Sequence, residues 1–327
     1  AARDAIAECM RRFDSTEWNM VCRRVLIKDL RCGISEKTLN KILGRTEWRI
    51  PVFSCQLAQD STDQPKKLRG IKRLECKLDG VRVLAVVQGS SVTLYSRNGK
   101  EFHNFAQIAD AIQQHRGSFM WHQAAGGRYV LDGEIVGESF QKLMKQAHRK
   151  SDAVTDGMVY HIFDMLPWED FERGFWNAQQ HRRLEYLDQV ASVFADSDCL
   201  HVVQGITVDL DTAEGHNIMN RYAQDAVKAG YEGIMIKAVD APYVCKRSDY
   251  WMKWKPTITV DLTVVAVEQG TGRNSERLGA LVCEGEDDGK YITVNVGSGY
   301  TDEDRDDYWI NQSAIIGRTA EILCDAV

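Results

Sequence analysis

No stretch of this 327-residue sequence approaches the roughly 20 consecutive apolar residues that a membrane-spanning helix needs. No signal-peptide pattern occurs in the opening residues. The nine cysteines include no C-x-x-C pair, and their number is odd. A zinc knuckle and a disulfide framework are therefore disfavoured, and reduced cytosolic thiols are the default. The eight histidines show neither H-x-x-x-H nor H-E-x-x-H spacing, so no helix-borne histidine metal site is expected. Internal repeats and low-complexity segments are also missing. There is no strong excess of either charge: 41 Lys and Arg against 47 Asp and Glu leave −6, which argues weakly against a nucleic-acid binder. The distribution qualifies that argument. Residues 1–44 carry nine basic and six acidic side chains, 45–256 carry 27 of each, and 257–327 carry five basic and fourteen acidic. The acidity lies in the last segment, and the rest can hold a basic groove.

What is present is ordinary soluble composition, 44% hydrophobic and 27% charged, in a length that suggests two or three domains. Residues 1–44 read as helical. Ile6, Cys9, Met10 and Phe13 follow one stripe, Asp14 with Glu17 resembles a capping box, and Trp18, Val21, Cys22, Val25 and Leu26 follow a second stripe. Gly33 is expected to end that helix and Ser35 to cap a third, containing Leu39, Ile42 and Leu43. Residues 45–70 read as a polar connection. From about residue 71, strands mix with helices without strict alternation, which favours an α+β domain of antiparallel sheets. A hairpin is expected to turn at Gly89-Ser90, and Gly230 to end a helix. Beyond Pro256, short strands separated by glycines and acidic turns suggest a small β-barrel. The chain opens on Ala inside a helical pattern and stops after the strand-like AEILCDAV, so both ends are expected to be cut.

Leu74, Cys76 and Leu78 alternate with Glu75 and Lys77, and Val83, Ala85 and Val87 continue the pattern, which predicts strand, tight turn at Asp79-Gly80, strand. A lysine is costly to bury there, but it becomes useful as a nucleophile once its amine is deprotonated. The K-x-D-G-x-R set of Lys77, Asp79, Gly80 and Arg82 is followed by SRNG with Arg97 and by LDGE, which is expected to set Glu134 at a strand start. Then come YHIFDMLP with Phe163, EGIMIK with Glu232 and Lys237, and WMKWKP with Lys253 and Lys255 two apart on one strand face. Each alone has a plain alternative: a surface hairpin, a polar turn, an exposed acid, a core phenylalanine, an edge strand with solubilising lysines.

In this order, over some 180 residues, the set resembles the six motifs of the ATP-dependent DNA ligases, a family within the covalent nucleotidyltransferases that also include RNA ligases and mRNA-capping enzymes. DLRCGISEKTLNKILG is similar to the end of the helical DNA-binding domain of larger ligases, and the segment after Pro256 to their OB-fold, most like bacteriophage-type enzymes. The resemblance implies three parts: a partial helical DNA-binding domain at 1–44, an adenylation domain of antiparallel sheets flanked by helices at 45–256, and an OB-fold at 257–327, incomplete at its C-terminal end. The family's terminal R-x-D-K is not found. Truncation is the expectation. If the chain naturally ends here, self-adenylylation suffers while sealing of pre-adenylylated DNA survives.

The resemblance also implies roles. Lys77 is the nucleophile that takes AMP from ATP, and Lys253 and Lys255 supply positive charge beside it and on the α-phosphate. Glu75 accepts from the adenine amino group, Phe163 stacks on the base, and Arg82 and Arg97 engage ribose and phosphate. Lys237 belongs to the nucleotide site through its motif. Magnesium is held by Glu232, with Glu134 assisting from near the ribose. The partner is nicked duplex DNA, and the chain is a monomer with no membrane attachment, in the cytoplasm (of a bacterial host if of phage origin). Alternatives are an RNA ligase, a capping guanylyltransferase, or an inactive nucleic-acid-binding protein that keeps the barrel.

Overall fold

The computed structural model describes residues 2–26, 42, 53–115, 127–137, 157–287 and 289–325. These divide into two units, Ala1–Ser54 and Cys55–Val327. In the first, helix α1 spans Ala2–Arg11. The Asp14 side chain then accepts from the backbone N–H of Thr16 and Glu17, starting a helical turn at Ser15–Glu17 as its sequence signature predicts. Trp18–Cys22 winds as a π-helix, which shifts the angular register of the second stripe: Trp18 is buried, Cys22 half-buried and Val21 exposed, while the side chains of Val25 and Leu26 lie outside what is described. The stop at Gly33, the cap at Ser35, and Leu39 and Leu43 lie outside the described residues.

Two large sheets build most of the second unit, which is α+β. The first comprises β1 (Leu57–Asp60), β2 (Ile71–Lys77), β10 (Gly205–Asp209), β11 (Gly233–Ala238) and β13 (Arg247–Trp254), in the order β1-β13-β11-β2-β10. The second comprises β3 (Val81–Gln88), β4 (Ser91–Ser96), β5 (Glu101–Phe102), β6 (Arg128–Val136), β7 (Val159–Pro167) and β9 (Leu200–Val202), in the order β5-β4-β3-β6-β7-β9. Two short strands, β8 (Phe175–Trp176) and β12 (Tyr243–Val244), pair separately. The hairpin at Gly89-Ser90 joins β3 to β4 as expected, and Gly230, at φ 88°, follows the helix that it was expected to end. The sheets are not wholly antiparallel: β1 runs parallel to β13, and β7 to β9. β1 lies in the stretch read as a polar connection. Its four residues are all half-buried and too few to show a period.

Apolar alternation decides which faces are covered by helices. Val83, Ala85 and Val87 of β3, with Leu131, Ile135, Tyr160 and Ile162, pack against Ile108 and Ile112 of α2 (Ala106–His115) and Leu187 and Val190 of α4 (Gln180–Val193). Between these helices in the chain lies the short α3 (Trp168–Arg173). Leu74, Val208, Ile234, Ile236 and Met252 of the other sheet pack on Met219, Ala223 and Ala226 of α5 (Ala213–Lys228), residues on one helical stripe. Each buried Val, Leu, Ile or Met among them stabilises by roughly 1.5–3 kcal/mol, and each alanine by less.

Past Pro256, Lys290–Val296, Leu278–Asp287, Thr257–Gln269 and Thr319–Asp325 pair in that order as a third sheet with its own core. Val260, Leu262 and Val264 of β14 (Thr257–Gln269) meet Leu278, Leu281 and Cys283 of β15 (Leu278–Asp287), with Ile322 of β17 (Thr319–Asp325); β16 (Lys290–Val296) is an edge. Between β16 and β17 the acidic stretch forms helix α6 (Asp302–Ile310), which the sequence pattern does not announce. Its start is a capping box between Thr301 and Asp304, and its acids sit at the positive end of the helix dipole. Among the described residues no helix is long and apolar enough to cross a membrane.

Candidate active site

The K-x-D-G-x-R segment is not a surface hairpin. β2 and β3 flank Asp79-Gly80, but they belong to different sheets, so this link carries the chain from one sheet to the other. Gly80 makes the crossing possible. A Cβ there would lie 2.3 Å from the Ile135 carbonyl oxygen and 2.9 Å from Glu134 Cγ, closer than any side chain tolerates. Glu134 itself lies near the C-terminal end of β6, not at a strand start; Arg82 of β3 is its register partner.

Residues of both sheets line a cavity of about 290 Å³. Glu75, Lys77, Arg82, Arg97, Glu134, Phe163, Lys237, Lys253 and Lys255 all line it, as do Cys76, Met235, Arg247 and Trp251. Glu232 joins them through ion pairs: Lys77 Nζ binds one of its carboxylate oxygens and Lys255 Nζ the other. All ten side chains assigned to the site from sequence are thus brought together.

One end of the cavity is rich in lysine. Lys253 pairs with Asp60 of β1 at 3.6 Å. Burial alone would push the Glu232 carboxyl up, but bonds from Lys255 and Lys77 outweigh it and hold that carboxyl below its ordinary value. Burial pushes Glu134 up to about 7, opposed by Arg82 and Lys77 and reinforced by Asp132 and Glu232. Two carboxylates therefore share a cation-rich pocket in opposite electrostatic situations.

The other end is aromatic. The Phe163 and Trp251 rings meet edge to face at 5.8 Å. The Arg82 guanidinium lies 4.5 Å from the Phe163 ring centre and the Lys237 ammonium 4.8 Å from it. Lys237 donates to the Phe163 carbonyl at 3.1 Å and pairs with Glu75 at 2.6 Å; both side chains are almost wholly buried.

Several contributors have no role assigned from the sequence. Arg82 grips the fully buried Asp132 with two bonds of 2.6 and 2.7 Å, and the Tyr243 hydroxyl donates to the same carboxylate at 2.6 Å. Arg82 also donates to the Gln56 carbonyl at 3.3 Å. Asp132 stands two residues before Glu134 in LDGE, so its signal is present and only its role is missed. Arg73, which donates to Glu75 at 3.2 Å, belongs to no motif at all.

The two facing sheets, each backed by helices, have the fold of solved DNA ligases. A Lig E structure, "DNA binding with a minimal scaffold", superposes with a TM-score of 0.61 at 19% identity over 84% of this chain and 93% of its own. The structure named Pmar-Lig_PreS3 superposes over all of this chain and 75% of its own, with a TM-score of 0.86 and 46% identity. The family model described as "ATP dependent DNA ligase domain" matches residues 55–255. The chain belongs to the ATP-dependent DNA ligase family. Curated relatives include "DNA ligase 2" of Methanosarcina acetivorans, 31% identical over 272 residues, with 77% of this chain and 45% of the relative covered. "DNA ligase" of Archaeoglobus fulgidus is 28% identical over 286 residues, with 82% and 48% covered. The chain spans about half the length of these relatives.

Proposed function

We propose that this chain seals nicks in duplex DNA with ATP, by way of an adenylate carried on Lys77. The observation that carries the reading is the Lys77–Glu232–Lys255 bridge opening into a cavity whose far end offers an aromatic ring and a buried Glu75–Lys237 pair. The Lys77 amine attacks the α-phosphorus of ATP and gives up a proton; the bond to pyrophosphate breaks and a phosphorus–nitrogen bond forms. AMP then passes to the 5′-phosphate of the nick, freeing Lys77. Finally the 3′-hydroxyl attacks that phosphate and expels AMP. Lys253 and Lys255 neutralise phosphate charge throughout. Phe163 stacks on adenine, an interaction worth about 1–3 kcal/mol. Glu75 accepts from the adenine amino group, which opposes the capping alternative because guanine presents a carbonyl at that position. Arg82 and Arg97 meet ribose and phosphate.

Among the described residues no trio of carboxylate, histidine or cysteine side chains is poised around a metal ion. Magnesium asks less than that: one or two carboxylates, with water and substrate phosphate completing its shell. Glu134 and Glu232 supply those two carboxylates, and a cation beside Glu134 would offset the desolvation that pushes its carboxyl up. Bound there, magnesium supplies charge stabilisation to the phosphates.

In this reading residues 1–44 are part of a helical DNA-binding domain, 45–256 the adenylation domain and 257–327 an OB-fold, and the protein is a cytoplasmic monomer. The decisive test is sealing of a singly nicked duplex with ATP and magnesium. Wild type is expected to seal and to gain one adenylyl group by intact mass; Lys77→Ala is expected to do neither. Failure of wild type on both the plain and the pre-adenylylated nick refutes the reading.

A further inference from the structure

Arg73 stands two residues before Glu75 on β2, so Arg73, Glu75 and Lys77 share a strand face. Its Nε donates to Glu75 Oε1 at 3.2 Å, while Lys237 Nζ pairs with Glu75 Oε2 at 2.6 Å. The Glu75 side chain is 2% exposed and that of Arg73 15%. Arg73 and Lys237 are direct register partners across β2 and β11. Two like charges facing each other in a sheet repel, and here a shared carboxylate offsets the cost. Glu75 and Lys237 line the cavity, whereas Arg73 does not. Whatever Arg73 does for a ligand, it does through Glu75.

We propose that Arg73 is a positioning residue that sets nucleobase specificity, by fixing the plane of the Glu75 carboxylate for a 6-aminopurine nucleotide. This rests on the reading of Glu75 as the base contact. An ionised carboxylate only accepts hydrogen bonds. A 6-amino group donates to it; a 6-oxo group sets oxygen against oxygen, a mismatch that discriminates strongly only where the acceptor cannot turn aside. A glutamate held at one oxygen pivots about that bond. Held at both, by two cations from neighbouring strands, it does not.

The test is equilibrium binding of ATP and of inosine triphosphate, which differ at the 6-position, to the full chain. Wild type is expected to prefer ATP, and Arg73→Met to lower that preference about tenfold, the scale of one charge-assisted bond. Arg73→Lys, which keeps a cation, should recover most of it. Glu75→Gln should abolish the preference, and adding Arg73→Met to it should change nothing further, because the two act as one unit. If Arg73→Met or Arg73→Gln melts earlier yet keeps the wild-type preference while Glu75→Gln loses it, Arg73 is merely structural and the proposal falls. Independent, additive effects also overturn it. If Glu75→Gln keeps the preference, the base-contact reading itself fails, a different and recognisable outcome. Should Arg73→Met not fold, Arg73→Gln and Arg73→Lys carry the comparison with the same criteria.

Discussion

Glu134, half-buried, and Asp132, fully buried, stand two residues apart on one strand with opposite fates. Asp132 has two bonds from Arg82 and one from Tyr243, so its charge is matched. Removing that match is costly. Asp132→Asn keeps the shape but strands a guanidinium against Phe163, and breaking a buried pair from one side costs about 3–5 kcal/mol. A urea melt should show that loss, and ATP binding should weaken because Arg82 no longer has a fixed place. Unchanged stability would mean that Arg82 finds another partner. Glu134 is the reverse case. Burial lifts its carboxyl from 4.5 to about 7. Between those values the folded protein holds a proton that the unfolded chain has released, so in metal-free buffer stability falls as pH rises through that window. Glu134→Gln has no charge to bury. Relative to wild type it should gain up to about 3 kcal/mol at pH 8 and little at pH 4, since each tenfold change in proton affinity is worth about 1.4 kcal/mol. Melts of both proteins in chelator at the two pH values decide this, and an equal difference at both refutes it.

Elements were legible in proportion to the period their burial imposes. The strands of the K-x-D-G-x-R region, the Gly89-Ser90 hairpin and the helix before Gly230 each have one covered face, and alternation or a stripe announces it. β1 is four half-buried residues with no period, and α6 is so rich in acid that it reads as a turn until its cap is recognised. Which sheet a strand joins was not legible either, because pairing is decided by packing far away in sequence; hence β2 and β3 were read as neighbours. The site was more legible than the fold. All ten motif residues converge, whereas Asp132, Tyr243 and Arg73, which hold them in place, do not stand out. Gly233 shows how an element sets the site. Its φ is 151°, and a Cβ there would sit 2.1 Å from the Trp254 carbonyl oxygen of β13. That close approach brings Glu232, the preceding residue, to Lys255. Gly233→Ala should push β11 from β13, cost more than the roughly 1–3 kcal/mol of backbone strain alone, and abolish the proposed adenylylation of Lys77. Gly230→Ala is the control: its φ is 88° with nothing within 4 Å, so it should cost only strain and leave adenylylation intact. Equal effects on labelling would show that Gly233 does not position Glu232.

At the scale of the whole chain, charge is segregated, and that bears on how a polyanion would be held. The last segment has five basic and fourteen acidic side chains, and its arginines make ion pairs and carbonyl contacts within the segment, although Arg273 and Arg318 are exposed. Arg277 binds Asp306 through two bonds of 2.6 Å, Arg273 reaches Asp302 at 2.9 Å, and Arg305 donates to the carbonyls of Leu278, Gly279 and Gly297. Arg277, held by two bonds to one carboxylate, and Arg305, held by three carbonyls, would each have to give up several bonds to meet a phosphate. The proposed binding to nicked DNA should therefore draw its electrostatics from residues before Pro256. Taking about six neutralised phosphates, affinity should drop roughly 10³-fold between 50 and 200 mM salt. Replacing Arg273 and Arg277 together by Gln should leave the slope of log affinity against log salt unchanged, because neither is counted in it. A slope shallower by about two would place both arginines on phosphate. The third sheet would then join the duplex by breaking its own ion pairs, leaving Asp302 and Asp306 of α6 without the arginines that they now pair with.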